Sequence, residues 1–287
     1  MAKKIVDIVR AKKREQIAAH MPAKDAEIPT DDERSSIERF IEAYDQAWVD
    51  ARDTSRNIED DGFHPSILGG YTGKCGRRNV YLLRSVEKRG FIDPRIQRVF
   101  GNGHGVHDRI QKLLHTMGID FKDETEVKTD KFGPPISGHA DGEAQWEGEG
   151  ILIEIKSCSD EVFVNRLKWK KPKDEHFDQC NIYALVLGYK KIWIIYENKN
   201  TQETKIFERK VSPEKAMKII DKWYAEWLCH QDGELPKRPY KIGSPTCAGC
   251  DVAYHCLPDN EIGVDIKPYT DKVKKIRKEE DEGSEEE

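Results

Sequence analysis

The sequence predicts an α/β protein with a central mixed β-sheet flanked by helices, and three observations carry that expectation. Apolar residues recur at spacings of three and four over 106–117 and 177–187, the period of an amphipathic helix. Segments 121–127, 136–146, 151–157, 191–197 and 203–209 are strand-sized, and several are separated by turns such as Glu147-Gly148 and Asn198-Lys199-Asn200. The two kinds of signal alternate along the chain, so helices have to pack on a sheet.

Taken in order, residues 1–60 form a charged, helix-permissive arm. Asp31, Asp32 and Glu33 can open a helix whose stripe is Ile37, Phe40, Ile41, Tyr44, Ala47 and Trp48. Residues 61–100 are a cysteine-bearing lead-in: His64-Pro65-Ser66, a glycine-rich stretch, Cys75, and a basic helix over 77–89. Residues 101–211 are the core. Its first helix carries Val106, Ile110, Leu113, Leu114 and Met117 and stops at Gly118. Strands at 121–127, 136–146 and 151–157 follow, the last two as a hairpin. A basic loop then leads to a helix over 174–187 with Phe177, Cys180, Ala184 and Leu187 on one face, and two more strands complete the sheet. In the segment 212–266, Ser212-Pro213 reads as N-cap and first helical residue of a helix aligned on Met217, Ile220, Tyr224 and Trp227. The tail 267–287, a lysine block running into an acid block, is expected to be disordered.

A chain of 287 residues holds one large domain or two modest ones. No apolar run approaches the roughly 18 residues of a membrane span, and the start lacks an export signal. The expected address is the cytoplasm, that of a host cell if the source is viral. The net charge of −5 hides an uneven distribution, because residues 279–287 alone hold seven carboxylates. Nucleic-acid binding is therefore not excluded.

Asp141, Glu154 and Lys156 are the candidate chemistry. Alternation along a strand puts Glu154 and Lys156 on one face and Ile153 and Ile155 on the other. The hairpin brings Asp141 beside Glu154, and two close carboxylates call for a cation between them, Mg2+ or Mn2+ by their oxygen chemistry. Such an ion polarises a phosphoryl oxygen and activates water, with Lys156 placed to hold that water. A Glu-x-Lys triplet also occurs on solvated strand faces, but the apolar run around this one gives its charges a reason to face a cleft. His107, next to the Val106/Ile110 stripe, reads either as a metal ligand or as a hydrogen-bonded interfacial histidine; His104 and His139 are competitors. Gly103 and Gly105 would let backbone approach a phosphate chain. Gln179 and Tyr183 share a helix face one turn apart.

The segment 165–173 gathers Arg166, Lys168, Lys170, Lys171 and Lys173 around Trp169, a pattern of phosphate contacts plus a stacking ring that suits single-stranded DNA. Arg77, Arg78, Arg84, Lys88 and Arg89 form a second candidate patch. No base-reading motif is present, and no Walker loop, so any unwinding has to come from a helicase partner.

Seven cysteines occur. Cys158, Cys180 and Cys229 read as small core residues. Cys247-x2-Cys250-x5-Cys256 puts three thiols in one loop, one short of a four-ligand site. Cys75 is the candidate fourth, in a glycine-rich, non-periodic segment, and its binding there would staple the two ends of the chain.

Together these residues resemble the PD-(D/E)XK nucleases of the RecB-like branch, and the match runs over about residues 63–258. Gly103 with His107, Gly138 with Asp141, Glu154 with Lys156 and Gln179 with Tyr183 fall on its ordered motifs. The resemblance implies a restriction-endonuclease-like core closed by a four-cysteine metal clasp. It further implies His107, Asp141, Glu154 and the Ile155 carbonyl as metal ligands, Lys156 as water activator, and Gln179 and Tyr183 as positioning groups. Gln111 departs from the pattern, since relatives often carry Glu there. The cysteine spacing is similar to that of iron–sulfur members, including CRISPR-associated exonucleases and the AddB-type nuclease domain. Cys75, Cys247, Cys250 and Cys256 would then bind a [4Fe–4S] cluster, with structural Zn2+ as the alternative. The implied activity is metal-dependent cleavage of DNA, exonucleolytic on single-stranded or frayed ends and 5′ to 3′ by resemblance. The alternatives are an end-trimming or structure-directed endonuclease working with recombination or packaging partners, and a non-catalytic DNA-binding or assembly subunit. Oligomeric state is not deducible.

Overall fold

Five strands, β1 (Asp120–Thr129), β2 (Ile136–Trp146), β3 (Glu149–Cys158), β4 (Lys191–Asn198) and β5 (Thr204–Lys210), form one sheet in sequence order. Every neighbouring pair is antiparallel except β3–β4, which is parallel, so the sheet is mixed. A two-residue turn joins β2 to β3, with Glu147 and Gly148 both at positive φ (51° and 82°). That is the primed turn whose twist matches a hairpin. Two parallel neighbours need a crossover, supplied by α4 (Asp160–Trp169) and α5 (Asp174–Leu187). The computed structural model describes residues 35–50, 62–68, 74–84, 94–259 and 261–284.

The remaining helices are α1 (Ser36–Asp50), α2 (Gly76–Leu83), α3 (Pro94–Thr116), α6 (Pro213–Gln231), α7 (Pro245–Ala248), α8 (Ala253–Cys256) and α9 (Lys267–Ser284). Both faces of the sheet are covered. On one, Val106, Ile110 and Leu114 of α3 pack on Ile151, Ile153 and Ile155 of β3. On the other, Cys180, Tyr183 and Ala184 of α5 and Phe163 of α4 pack on Leu152, Ile192, Ile194 and Tyr196. Strand β3 is therefore the middle of the protein. Its four residues Ile151, Leu152, Ile153 and Ile155 are at most 1% exposed, each burial contributing about 1.5–3 kcal/mol. Behind α5, helix α6 buries Ile220 and Trp223 against Ile182 and Phe63. The Ser212 cap accepts from Lys215 N, with Pro213 opening the helix as expected. Phe63 is tied to the rim of the sheet by Phe63 N to Pro135 O (2.8 Å) and Ser137 N to Phe63 O (3.0 Å).

The chain divides into residues 1–51 and 52–287. In the first unit, α1 begins with a reciprocal cap, Glu38 N to Ser35 Oγ (3.2 Å) and Ser35 N to Glu38 Oε2 (2.7 Å). Its stripe Ile37, Phe40, Ile41 and Tyr44 is exposed. The expected opening at Asp31, Asp32 and Glu33, and the basic residues Lys88 and Arg89, lie outside the described residues.

Several expectations are corrected. The basic loop after β3 is in part helix α4, which ends where Lys170 turns left-handed (φ 52°). A boundary at residue 100 would cut α3, which begins at Pro94; Leu113 on that helix and Met117 just beyond it are exposed, beside a groove they share with Ile153 and Trp193. The expected disordered tail is helical over α9, because Val273 is 1% exposed and Arg277 donates to Phe132 O (2.6 Å) and Asp221 Oδ1 (2.9 Å). Among the described residues no helix is long and apolar enough to cross a membrane.

Candidate active site

Pairing between β2 and β3 stops at Gly142 with Ile153. The next residues in each strand are Asp141 and Glu154. Past that point the Ile155 N–H, which would otherwise seek a backbone acceptor, donates to Asp141 Oδ2 at 2.6 Å. Asp141 Oδ2 is thus fixed by main chain. From α3, Gln111 Nε2 donates to the Asp141 carbonyl (2.8 Å) and to Glu124 Oε1 (3.2 Å). Glu124 has positive φ (49°) where β1 runs past this break. One helical turn before Gln111, His107 Nδ1 lies 3.4 Å from Asp141 Oδ1. Two α3 residues four apart therefore converge on one aspartate. Gln111 was noted in the sequence only as a departure from a resemblance, and its buried place here could be read from its position one turn after His107.

Glu154 and Lys156 point to the α5 side, as alternation requires, while Ile153 and Ile155 point to α3. Glu154 is fully buried. Its Oε1 contacts Lys156 Nζ and accepts from Gln179 Nε2 at 2.8 Å. Tyr183, one turn after Gln179, is buried with its hydroxyl against Gly138: a Cβ at Gly138 would meet that oxygen at 2.4 Å. The structure thereby brings Asp141, Glu154, Lys156, Gln179, Tyr183 and His107 together. Gly103 has only ordinary room for a Cβ near Ser157, and Gly105 faces open space.

Burial and mutual charge shape the protonation of the site. Burial, then the charge of Asp141, pushes the Glu154 carboxyl up to about 7, although Lys156 and His107 work against the rise. Burial opposes the Lys156 ammonium, yet the charges of Glu154 and Asp141 outweigh it and hold the amine above its ordinary range. His107 behaves likewise: burial lowers its basicity, and the hydrogen bond and charge of Asp141 raise it further. All three groups hold protons more firmly than usual, Glu154 chiefly through burial and Lys156 and His107 through the carboxylates beside them.

Among the described residues no three His, Cys, Asp or Glu side chains are already gathered into a complete metal-holding group. The donor set nevertheless fits a hard divalent ion. Glu154 Oε2 is buried without a hydrogen-bond partner, which a carboxylate tolerates only at considerable cost. Asp141 Oδ1 and His107 Nδ1 stand on the more open side, their side chains 15% and 25% exposed. Ile155 contributes its N–H to Asp141 and its side chain to the core.

Cys75, Cys247, Cys250 and Cys256 are free thiols that line a single cavity together with Arg78, Arg238, Val252 and Leu257. Burial, and with it the neighbouring Cys256, raises the Cys75 thiol, and burial pushes Cys250 up to about 11. The walls are tied by arginines. Arg78 Nε and Nη2 each reach an oxygen of Asp251 at 2.7 Å. Arg77, fully buried, donates to Pro236 O (3.1 Å) and Glu261 O (3.1 Å) and pairs with Asp259. This corrects the expectation that Arg77 and Arg78 contact DNA: both are consumed in holding the chain ends together. Arg84 likewise donates to Gly233 O and Glu234 O. Cys158, Cys180 and Cys229 are buried core residues, as expected.

The other basic segment divides. Lys168, Lys170 and Lys171 are exposed and Lys173 is half-buried. Arg166 is buried on the inner side of α4, its guanidinium carbon 4.5 Å from the centre of the Trp169 ring, while Trp169 itself is 54% exposed. Sequence reading missed His176 and Tyr196. His176 Nδ1 lies 2.7 Å from Tyr196 Oη, which also accepts from Lys173 N (3.0 Å). Tyr196 is the register partner of Lys156. The spacing of His176 with Gln179 and Tyr183 along one helix was the available signal.

No protein-family model matches the sequence, and no curated protein is significantly similar to it. Similar solved structures include that of SSO0001, at 16% identity over 77% of this chain and 96% of that one, with a TM-score of 0.40. LHK-Exo in complex with dAMP is 14% identical over 60% of this chain and 89% of its own, TM-score 0.45. The alkaline exonuclease LHK-Exo from Laribacter hongkongensis is 13% identical over 66% and 93%, TM-score 0.44.

Proposed function

We propose that this protein is a divalent-metal-dependent nuclease that hydrolyses DNA phosphodiesters, acting as an exonuclease on single-stranded or frayed ends. The observation that carries the reading is the buried, partnerless Glu154 Oε2 beside Asp141 at the point where β2 and β3 part. His107, Asp141, Glu154 and the Ile155 carbonyl would hold Mg2+ or Mn2+. When bound, such an ion supplies a polarised phosphoryl oxygen and a water of lowered pKa. Lys156, anchored on Glu154 with its side chain 22% exposed, would orient the attacking water and offset charge on the phosphate as the P–O bond breaks. Gln179 keeps Glu154 Oε1 in place, leaving Oε2 for the ion. Tyr183 packs against Gly138, the small residue that lets α5 come this close.

Labelled linear single strands, blunt duplexes and circular single strands, each with Mg2+ or Mn2+, test the reading. Nucleotide release from linear strands, lost in Asp141→Asn and in chelator, is the expected result. Labels at either end give the direction, 5′ to 3′ on the sequence resemblance. Cutting of the circles would make the enzyme an endonuclease, and undiminished cutting by the variant would remove these residues from the mechanism.

The four-cysteine cavity is proposed as a second, structural metal centre, a [4Fe–4S] cluster on the sequence resemblance and Zn2+ otherwise. Thiolates suit both. Iron, sulfide and zinc analysis of anaerobically purified protein distinguishes them, and loss of the bound metal in Cys75→Ser ties it to this cavity.

A further inference from the structure

Strand β1 carries an irregularity that no change of chain direction explains. Among the described residues, four that are not glycine have positive φ: Glu124, Glu147, Lys170 and Gln202. Glu147 lies in the β2–β3 turn, Lys170 caps α4, and Gln202 lies between β4 and β5, all places where the chain has to turn. Glu124 (φ 49°) stands inside a strand. The left-handed conformation is unfavourable for a residue with a Cβ, and glycine would adopt it without strain.

Its effect is to exchange the faces of the sheet. Phe121 packs in the cluster under α3 and Val127 in the cluster under α5, although an even spacing on a regular strand keeps residues on one face. Strand β2 does the same, with Ala144 on the α3 side and Ala140 on the α5 side. The register is kept across the change, Asp123 with Gly142 before it and Thr125 with Ala140 after it. Both strands therefore cross over at one step, where Glu124 and Asp141 stand opposite each other without forming a register pair. Asp141 is outside the pairing with β3 as well, since that begins at Gly142. Its carbonyl is taken instead by Gln111 Nε2 (2.8 Å), which also donates to Glu124 Oε1 (3.2 Å).

We infer that Glu124 is a positioning residue for the divalent-metal site: its carboxylate fixes the Gln111 amide with its NH2 group toward the Asp141 carbonyl, and so holds Asp141 in the break between the strands, with Oδ1 beside His107. The inference rests on the metal-binding part of the nuclease reading. A side-chain amide can turn end for end, and the Asp141 carbonyl engages only one of its two N–H groups. A second acceptor from β1 takes the other, which leaves one orientation. Gln111 is buried and Glu124 exposed, so the carboxylate reaches this amide from the surface. Glycine at 124 would relieve the backbone and lose that acceptor. The strain is kept where the side chain serves the site.

Mn2+ binding, read from the EPR signal of the free ion, tests this in native protein and in Glu124→Gln, Glu124→Ala and Glu124→Gly, with Asp141→Asn marking the site and metal-free thermal melts beside it. Loss of the acceptor should raise the Mn2+ Kd about fivefold in both the alanine and the glycine variant, the effect of one hydrogen bond. Glu124→Gln keeps an acceptor oxygen and should stay within about twofold of native protein. Glu124→Gly should melt a few degrees above Glu124→Ala, because it alone relieves the left-handed backbone. Weaker binding in the more stable variant is then no consequence of misfolding. Equal Mn2+ affinity in native protein and all three Glu124 variants, or a loss in Glu124→Gln as large as in Glu124→Ala, overturns the positioning role and leaves the metal site standing. Native protein without any Mn2+ binding that Asp141→Asn removes would overturn both.

Discussion

Replacing Glu154 with glutamine should separate stability from activity. The carboxyl is fully buried and pushed up to about 7 against an ordinary 4.5. A raised carboxylate contributes stability below about 4.5 and loses it as pH rises through 7, so in metal-free protein at pH 8 an ionised Glu154 is a liability. The shift corresponds to roughly 3 kcal/mol at most. Part of that is given back when Lys156 loses its partner, so a net gain of about 1–2 kcal/mol is expected for Glu154→Gln. For a protein of this size the gain is a few degrees in Tm. Native protein should in turn gain about 2.7 kcal/mol from a metal at a hundred times its Kd, more at pH 8 than at pH 6, because the ion displaces protons. The variant should show neither the metal-induced gain nor its pH dependence, and its nuclease rate should fall at least a hundredfold, about 2.7 kcal/mol in the barrier. Thermal melts with and without Mn2+ at the two pH values, beside a digestion time course, measure all of this. A variant that melts lower than native protein without metal, keeps the Mn2+ gain and still digests DNA would refute the reasoning.

Gly138→Ala should cost about 1–3 kcal/mol by denaturant melts, since its Cβ would stand 2.4 Å from the Tyr183 hydroxyl and α5 has to shift. Gln111→Leu strips Asp141 of its carbonyl partner and should raise the Mg2+ concentration needed for half-maximal rate several-fold, with a smaller change in DNA affinity. His176, pushed down to about 3 by burial and neighbouring cations, stays neutral in the folded state. Stability should therefore be intact above about 6.5 and fall as pH drops toward 3, by up to roughly 1.4 kcal/mol per pH unit. His176→Gln should flatten that acid limb in urea titrations.

What could be read from the chain were the features encoded by neighbours in sequence. The hairpin around Glu147-Gly148, the Ser212-Pro213 helix start, the span of α5 and the opposite facing of Ile155 and Lys156 all depend on contacts a few residues apart. Arg77 and Arg78 looked like a DNA patch because their acceptors lie 159 to 184 positions away. The same limit hid the ordered tail, whose anchors are Phe132 and Asp221. It also concealed the depth of Glu154, which local pattern assigns to a cleft wall and α5 seals from above. The four cysteines are the instructive exception: chemistry, rather than periodicity, placed Cys75 with the distant three.

The early parting of β2 and β3 makes the sheet two ribbons joined over five register pairs, from Gly142 with Ile153 to Trp146 with Glu149. Beyond the seam, the ribbons are linked at this point by a carboxylate standing in for a peptide carbonyl. Changes at the far hairpin tip thus reach the proposed metal site through an intact zipper, whereas a substitution that loosens Asp141 removes the one link between the ribbons at that point.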